Sequence, residues 1–116
     1  MKFAFPPDVE AELRFVPTSE GGRKVPLSPH EVGYRPTTYY DGHHFDTLHE
    51  YPDNDMVWPG DTVRALLRFL RPHLQVGVLA VGSTFEVREG GKVAVQGKIT
   101  RILSLEDNAR ISEAKV

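Results

Sequence analysis

Glycine and proline punctuate this chain so closely that long helices have little room to form. Ten Gly and nine Pro are spread over 116 residues, between short apolar runs, which is how antiparallel β proteins are usually written. The clearest case lies near the C-terminus. Phe85 and Val87 alternate with Thr84, Glu86 and Arg88; Glu89-Gly90-Gly91-Lys92 follows; then Val93, Val95, Gly97 and Ile99 alternate with Ala94, Gln96, Lys98 and Thr100. A period of two on both sides of Gly-Gly predicts a β-hairpin, because both central positions of a type I′ turn favour positive φ.

The same period recurs upstream. Ala11, Leu13 and Phe15 alternate with Glu12 and Arg14, and Phe45, Thr47, His49 and Tyr51 alternate with Asp46, Leu48 and Glu50, so both stretches read as half-buried strands. Thr37-Thr38-Tyr39-Tyr40 is strand-like by its β-branched and aromatic content, and Asp41-Gly42 is a turn signal behind it. Glu20-Gly21-Gly22-Arg23, with Pro26 and Pro29 beyond it, opens a longer loop, and Trp58-Pro59-Gly60-Asp61 closes another. One segment reads two ways. Val63, Leu66, Leu67, Leu70 and Leu74 form a helical stripe behind an Asp61 N-cap, the choice local propensity favours, while Val63, Ala65, Leu67 and Phe69 form a strand face. Ser104-Leu105-Glu106-Asp107 resembles a weak capping box, consistent with a frayed helical turn or a mobile tail over 104–116.

Composition narrows the class. With 40% apolar and 26% charged residues the chain is neither a disordered tail nor a coiled coil, and its length suffices for one core. No apolar stretch reaches the ~18 residues of a membrane span, and there is no Cys, so disulfides and thiolate chemistry are excluded. With no secretory leader legible at Met1, a cytoplasmic location is the expectation. A net charge of −2 argues against general nucleic-acid affinity. It conceals an asymmetry: residues 1–60 carry five Lys or Arg against ten Asp or Glu, and residues 61–116 carry nine against six, leaving room for a basic face built from the second half.

Four motifs in order resemble the C-terminal third domain of translation elongation factor Tu. They are Glu20-Gly21-Gly22-Arg23; Gly33-Tyr34-Arg35-Pro36 with Tyr39; Met56 with Pro59-Gly60-Asp61; and Phe85-Glu86-Val87-Arg88-Glu89-Gly90-Gly91-Lys92 followed by Gly97. The resemblance spans residues 8–103 and implies a closed six-stranded antiparallel Greek-key β-barrel over 1–103, with 63–69 extended. It also implies contacts with the backbone of tRNA-like RNA at Arg23, Lys24, Arg71, Arg88, Glu89 and Gly90, and contacts with translation proteins. Thr37 replaces the Gln that follows Gly-Tyr-Arg-Pro in the factor.

The parent factor's GTPase is not expected here, since no Gly-x-x-x-x-Gly-Lys-Ser/Thr loop occurs. No cofactor is expected either. His43-His44 with Asp41, Asp46 and His49 offers metal-ligand types, but adjacent strand residues face opposite ways and cannot share one ion. No nucleophile elbow frames a Ser, so catalysis is not expected. Among Tyr34, Tyr39, Tyr40, Tyr51 and Trp58, most suit a core; Trp58, in a loop beside Pro59, is the candidate anchor for a partner. Two expectations follow: a non-enzymatic module that binds a translation-related protein, or a small module that grips tRNA-like RNA.

Overall fold

The structure is a computed structural model and describes residues 5–28 and 37–114; Pro29 and the Gly33-Tyr34-Arg35-Pro36 motif lie outside the described residues. Six strands, β1 (Val9–Phe15), β2 (Thr37–Tyr40), β3 (His43–Glu50), β4 (Thr62–Phe69), β5 (Thr84–Glu89) and β6 (Lys92–Ile102), precede one helix, α1 (Leu105–Ala114). Every strand pairing is antiparallel, and the sheet closes on itself in the order β1-β4-β3-β2-β5-β6. β2, β3 and β4 run as consecutive neighbours while β1 lies beside β4, a Greek-key path. Closure leaves no free sheet edge, which is how a chain of this size avoids edge-to-edge association.

Two tight turns follow directly from sequence. Gly90 and Gly91 hold φ of 59° and 82° between β5 and β6, and Asp41 and Gly42 hold 50° and 79° between β2 and β3. Both pairs have the positive φ that two-residue hairpins demand.

The segment that favoured a helix locally is strand β4. Val63, Ala65, Leu67 and Phe69 are buried, while Arg64 and Arg68 face outward to Glu10 and Glu50, each at 2.8 Å. Partners on both sides, β1 and β3, satisfy its backbone, and that tertiary pairing outweighs the helical propensity of its leucines. A second difference concerns Ala94, which simple alternation turns outward. Register shifts in the β5–β6 pairing between Val87 and Arg88, so Ala94 and Val95 are both buried. This bulge, with another opposite Glu10 and Ala11, bends the long β6 around the barrel.

The core is the barrel interior: Val9, Ala11, Leu13 and Phe15 meet Leu67, Val87, Val95 and Ile99. At its centre Gly97 leaves room for the ring of Phe85, its cross-strand partner; a Cβ at 97 would fall inside that ring's contact distance. A polar chain also crosses the interior. Thr38 Oγ1 and Thr47 Oγ1 lie 2.8 Å apart, Thr47 Oγ1 is 3.2 Å from His49 Nε2, and His49 Nδ1 is 2.8 Å from the Tyr51 hydroxyl.

The tail is a helix of ten residues packed on the short 3-10 turn Pro72–Leu74, with Leu105 and Ala109 buried. Asp8, 2% exposed, ties it down: Oδ1 accepts from Asn108 Nδ2 at 2.7 Å and Oδ2 from the Phe69 N–H at 2.7 Å.

Candidate binding surface

The strand directions sort the loops onto two ends of the barrel. At the end where β1 finishes lie the connection after Phe15, the β3–β4 loop over 51–61 and the Gly90-Gly91 hairpin. At the other end lie the Asp41-Gly42 turn, the β4–β5 connection over 70–83, and α1.

Arg23, Lys24, Arg88, Glu89, Gly90 and Trp58 therefore share one end. Arg71, which follows β4, is exposed at the opposite end, so the structure does not bring it to the other cations. Chain direction separates them: β4 runs antiparallel to β1, so it ends at the opposite mouth from the one where β1 finishes.

Within the shared end the charges are interleaved. Arg23 Nη1 lies 2.9 and 2.8 Å from the two Glu89 oxygens, which straps the Gly21–Lys24 loop to the β5–β6 hairpin. Arg88 pairs with Glu86 at 2.9 Å, and its guanidinium sits 4.0 Å from the centroid of the Tyr39 ring, a cation–π placement. Arg14 reaches Glu20 at 3.2 Å. Lys24 and Lys92 are exposed and make no salt bridge among the described residues.

Trp58 is 55% exposed on a loop whose backbone is fixed. Its N–H donates to Asp61 Oδ2 at 2.8 Å and its carbonyl accepts from the Asp61 N–H at 3.0 Å. Gly60 and Asp61 then bond to Phe15, at 2.9 and 2.8 Å, so the loop is stitched to the end of β1. Val57, buried, forms a two-bond bridge with Leu27, which sets the two loops side by side. Among the described residues, Val25 (59%) and Met56 (41%) are the other large exposed apolar side chains of these two loops. Sequence does not single out either as a binding candidate, because the Leu27–Val57 bridge that sets their loops side by side is a tertiary contact.

The loop is braced below by Arg64, which donates to Asp53 at 3.0 Å and to Glu10 at 2.8 Å. The hydrogen bond from Arg64 holds the Asp53 carboxyl below its ordinary 3.8, and Asp53 and Glu10 raise the Arg64 pKa.

The histidines do not assemble. His49 is buried in the polar chain, where desolvation lowers its pKa to about 3 and keeps the ring neutral. His43 and His44 are exposed, on opposite sides of β3, and rest on Phe45 and Tyr39. Among the described residues no three His, Cys, Asp or Glu side chains gather as metal ligands.

Elsewhere, a polar depression of about 520 Å³ crosses the outside of the sheet, bordered by Glu12, Arg14, Glu86 and Lys98. Its charges alternate in sign. An apolar groove of about 380 Å³ runs between α1 and the end of β4, lined by Phe5, Leu48, Leu70 and Ile111. Among the described residues no helix is long and apolar enough to cross a membrane. No protein-family model matches the chain.

Proposed function

We propose that this chain is a non-enzymatic binding module, akin to the third domain of elongation factor Tu, that docks a translation-related protein through the end carrying Trp58. One observation carries the reading: Arg23, Arg88 and Arg14 are each neutralised by a carboxylate, while Trp58, its backbone fixed by Asp61, stands exposed at the same end. Phosphate backbones are gripped by cations free to replace counterions. Paired arginines around an apolar anchor suit a protein surface, where Trp, Tyr and Arg dominate binding energy.

The alternative is a grip on tRNA-like RNA. Of the inferred contact residues at this end, Lys24 is the cation without an ion pair among the described residues, joined by Lys92. Two phosphate contacts give a log–log salt slope no steeper than about −2. A titration of tRNA against ionic strength therefore separates the readings. The protein-docking reading predicts negligible affinity at 0.15 M salt, and no response to Arg88→Glu. Tight binding with a steep slope that Arg88→Glu abolishes would overturn it in favour of RNA. In a companion pull-down, Trp58→Ala weakens capture of the translation protein at least ~30-fold, the loss of a hot-spot side chain worth about 2 kcal/mol.

A further inference from the structure

Gln75 stands at the mouth of the barrel opposite Trp58, just after the turn Pro72–Leu74, and it is 1% exposed. Its main chain is fully used: the N–H donates to the Pro72 carbonyl at 3.0 Å, and the carbonyl accepts from Val78 and Leu79 at 3.0 and 3.1 Å. The side chain is not. Neither Oε1 nor Nε2 has a hydrogen-bond partner, and these are the sole buried side-chain polar atoms so placed among the described residues. Unpaired buried amides are costly, and native structures satisfy nearly all of them.

The surroundings define what can pair with it. Gln75 lines a void of about 10 Å³, walled by Leu67, Phe69, Phe85 and Ile99; its polar neighbours there are the buried Thr38 and the half-buried Tyr40, whose hydroxyl already donates to the Val78 carbonyl at 3.0 Å. Thr38 Oγ1 bonds Thr47 Oγ1 at 2.8 Å, and a hydroxyl has capacity beyond one such bond.

We propose that Gln75 and Thr38 form a binding site for a single buried water molecule. Charge and size both select water. Oε1 requires a donor and Nε2 an acceptor, so a metal cation serves only the oxygen and an anion only the amide nitrogen. A water donates to Oε1, accepts from Nε2 and uses its second hydrogen or lone pair toward Thr38, within the two to four bonds typical of buried waters. The void, at about 10 Å³, matches a single water in size. The bound water extends the chain Thr38–Thr47–His49–Tyr51 to the barrel's far mouth, giving the interior one continuous polar thread.

Two measurements on the intact chain test this. Oxygen-17 relaxation dispersion counts waters held longer than nanoseconds; Gln75→Met, of similar length and without the amide, is expected to lower the dispersion by one water. In the unsubstituted protein, the Gln75 side-chain NH2 is expected to show cross-relaxation with water of the sign produced by a long-lived contact. An unchanged dispersion in Gln75→Met would overturn the proposal. Resolved Gln75 NH2 signals with no such cross-relaxation would overturn it too, and that result stands even if Gln75→Met fails to fold.

Discussion

A histidine inside an apolar barrel is stable only while it is uncharged, and His49 shows how. Its two ring nitrogens meet Thr47 and Tyr51 at 3.2 and 2.8 Å, one donating and one accepting, so the neutral form leaves neither nitrogen unpaired. Desolvation holds the folded pKa at about 3 against 6.5 unfolded. The lowered value fixes the sign: this contribution is complete above 6.5 and is lost as pH falls toward 3, because the unfolded chain takes up the proton first. By pH 5 the loss amounts to about 2 kcal/mol. Urea unfolding of the wild type and of His49→Gln at pH 5 and pH 7.5 should therefore differ in slope with pH, the variant losing less. Alternation placed His49 on one face with Phe45, Thr47 and Tyr51, and the structure turns Thr47, His49 and Tyr51 inward. What sequence could not supply was the cross-strand neighbour, Thr38, that completes the chain. Gly97 is similar: its turn-like identity says nothing of the Phe85 ring over it. Gly97→Ala should cost about 1–3 kcal/mol by overpacking, read as a lower midpoint in denaturant.

At the scale of single elements, β4 and α1 show opposite relations to local propensity. β4 is extended although Leu66, Leu67 and Leu70 favour a helix, since its two neighbours fix it; only the family resemblance made that legible. α1 forms where a weak capping signal left a frayed helical turn or a mobile tail as the expectation, and its stability comes from packing on the Pro72–Leu74 turn rather than from its own length. Asp8 is the joint. Burial raises its pKa above 3.8, while the hydrogen bonds from Asn108 and from the Phe69 N–H, and the charge of Arg68, pull it down. Its stabilising contribution is therefore fullest below 3.8 and declines as pH rises through the folded value. Asn108→Ala removes the strongest of the lowering partners, so a carboxyl titration by NMR should show the Asp8 pKa rise further. Asp8→Ala strands the Phe69 N–H and should cost about 2–3 kcal/mol, with hydrogen exchange accelerating in α1 before the strands. Exchange that accelerates uniformly would show that the helix and barrel open together instead.

Across the whole molecule, the charge asymmetry between the halves of the chain is offset in part by pairing between them. A closed antiparallel barrel interleaves early and late strands, so Arg64 and Arg101 of the second half meet Glu10 of the first, and Arg68 meets Glu50. The same interleaving divides the inferred contact residues, sending Arg71 to one end and Arg23, Lys24, Arg88, Glu89 and Gly90 to the other with Trp58. Sequence motifs specified the barrel well because turn chemistry and period two are local. The binding surface was less legible, since which cations remain free depends on partners distant in sequence, as with Arg23 and Glu89, 66 residues apart. Under the proposed function, the Trp58 end docks a protein. A photo-reactive amino acid placed at position 58, with a second placement at Leu74 on the opposite end, tests it directly in extract of the source cells. A discrete cross-link from position 58 to a translation protein, with none from position 74, is expected; cross-links to RNA alone, or equal protein yields from both ends, would rule out docking through the Trp58 end.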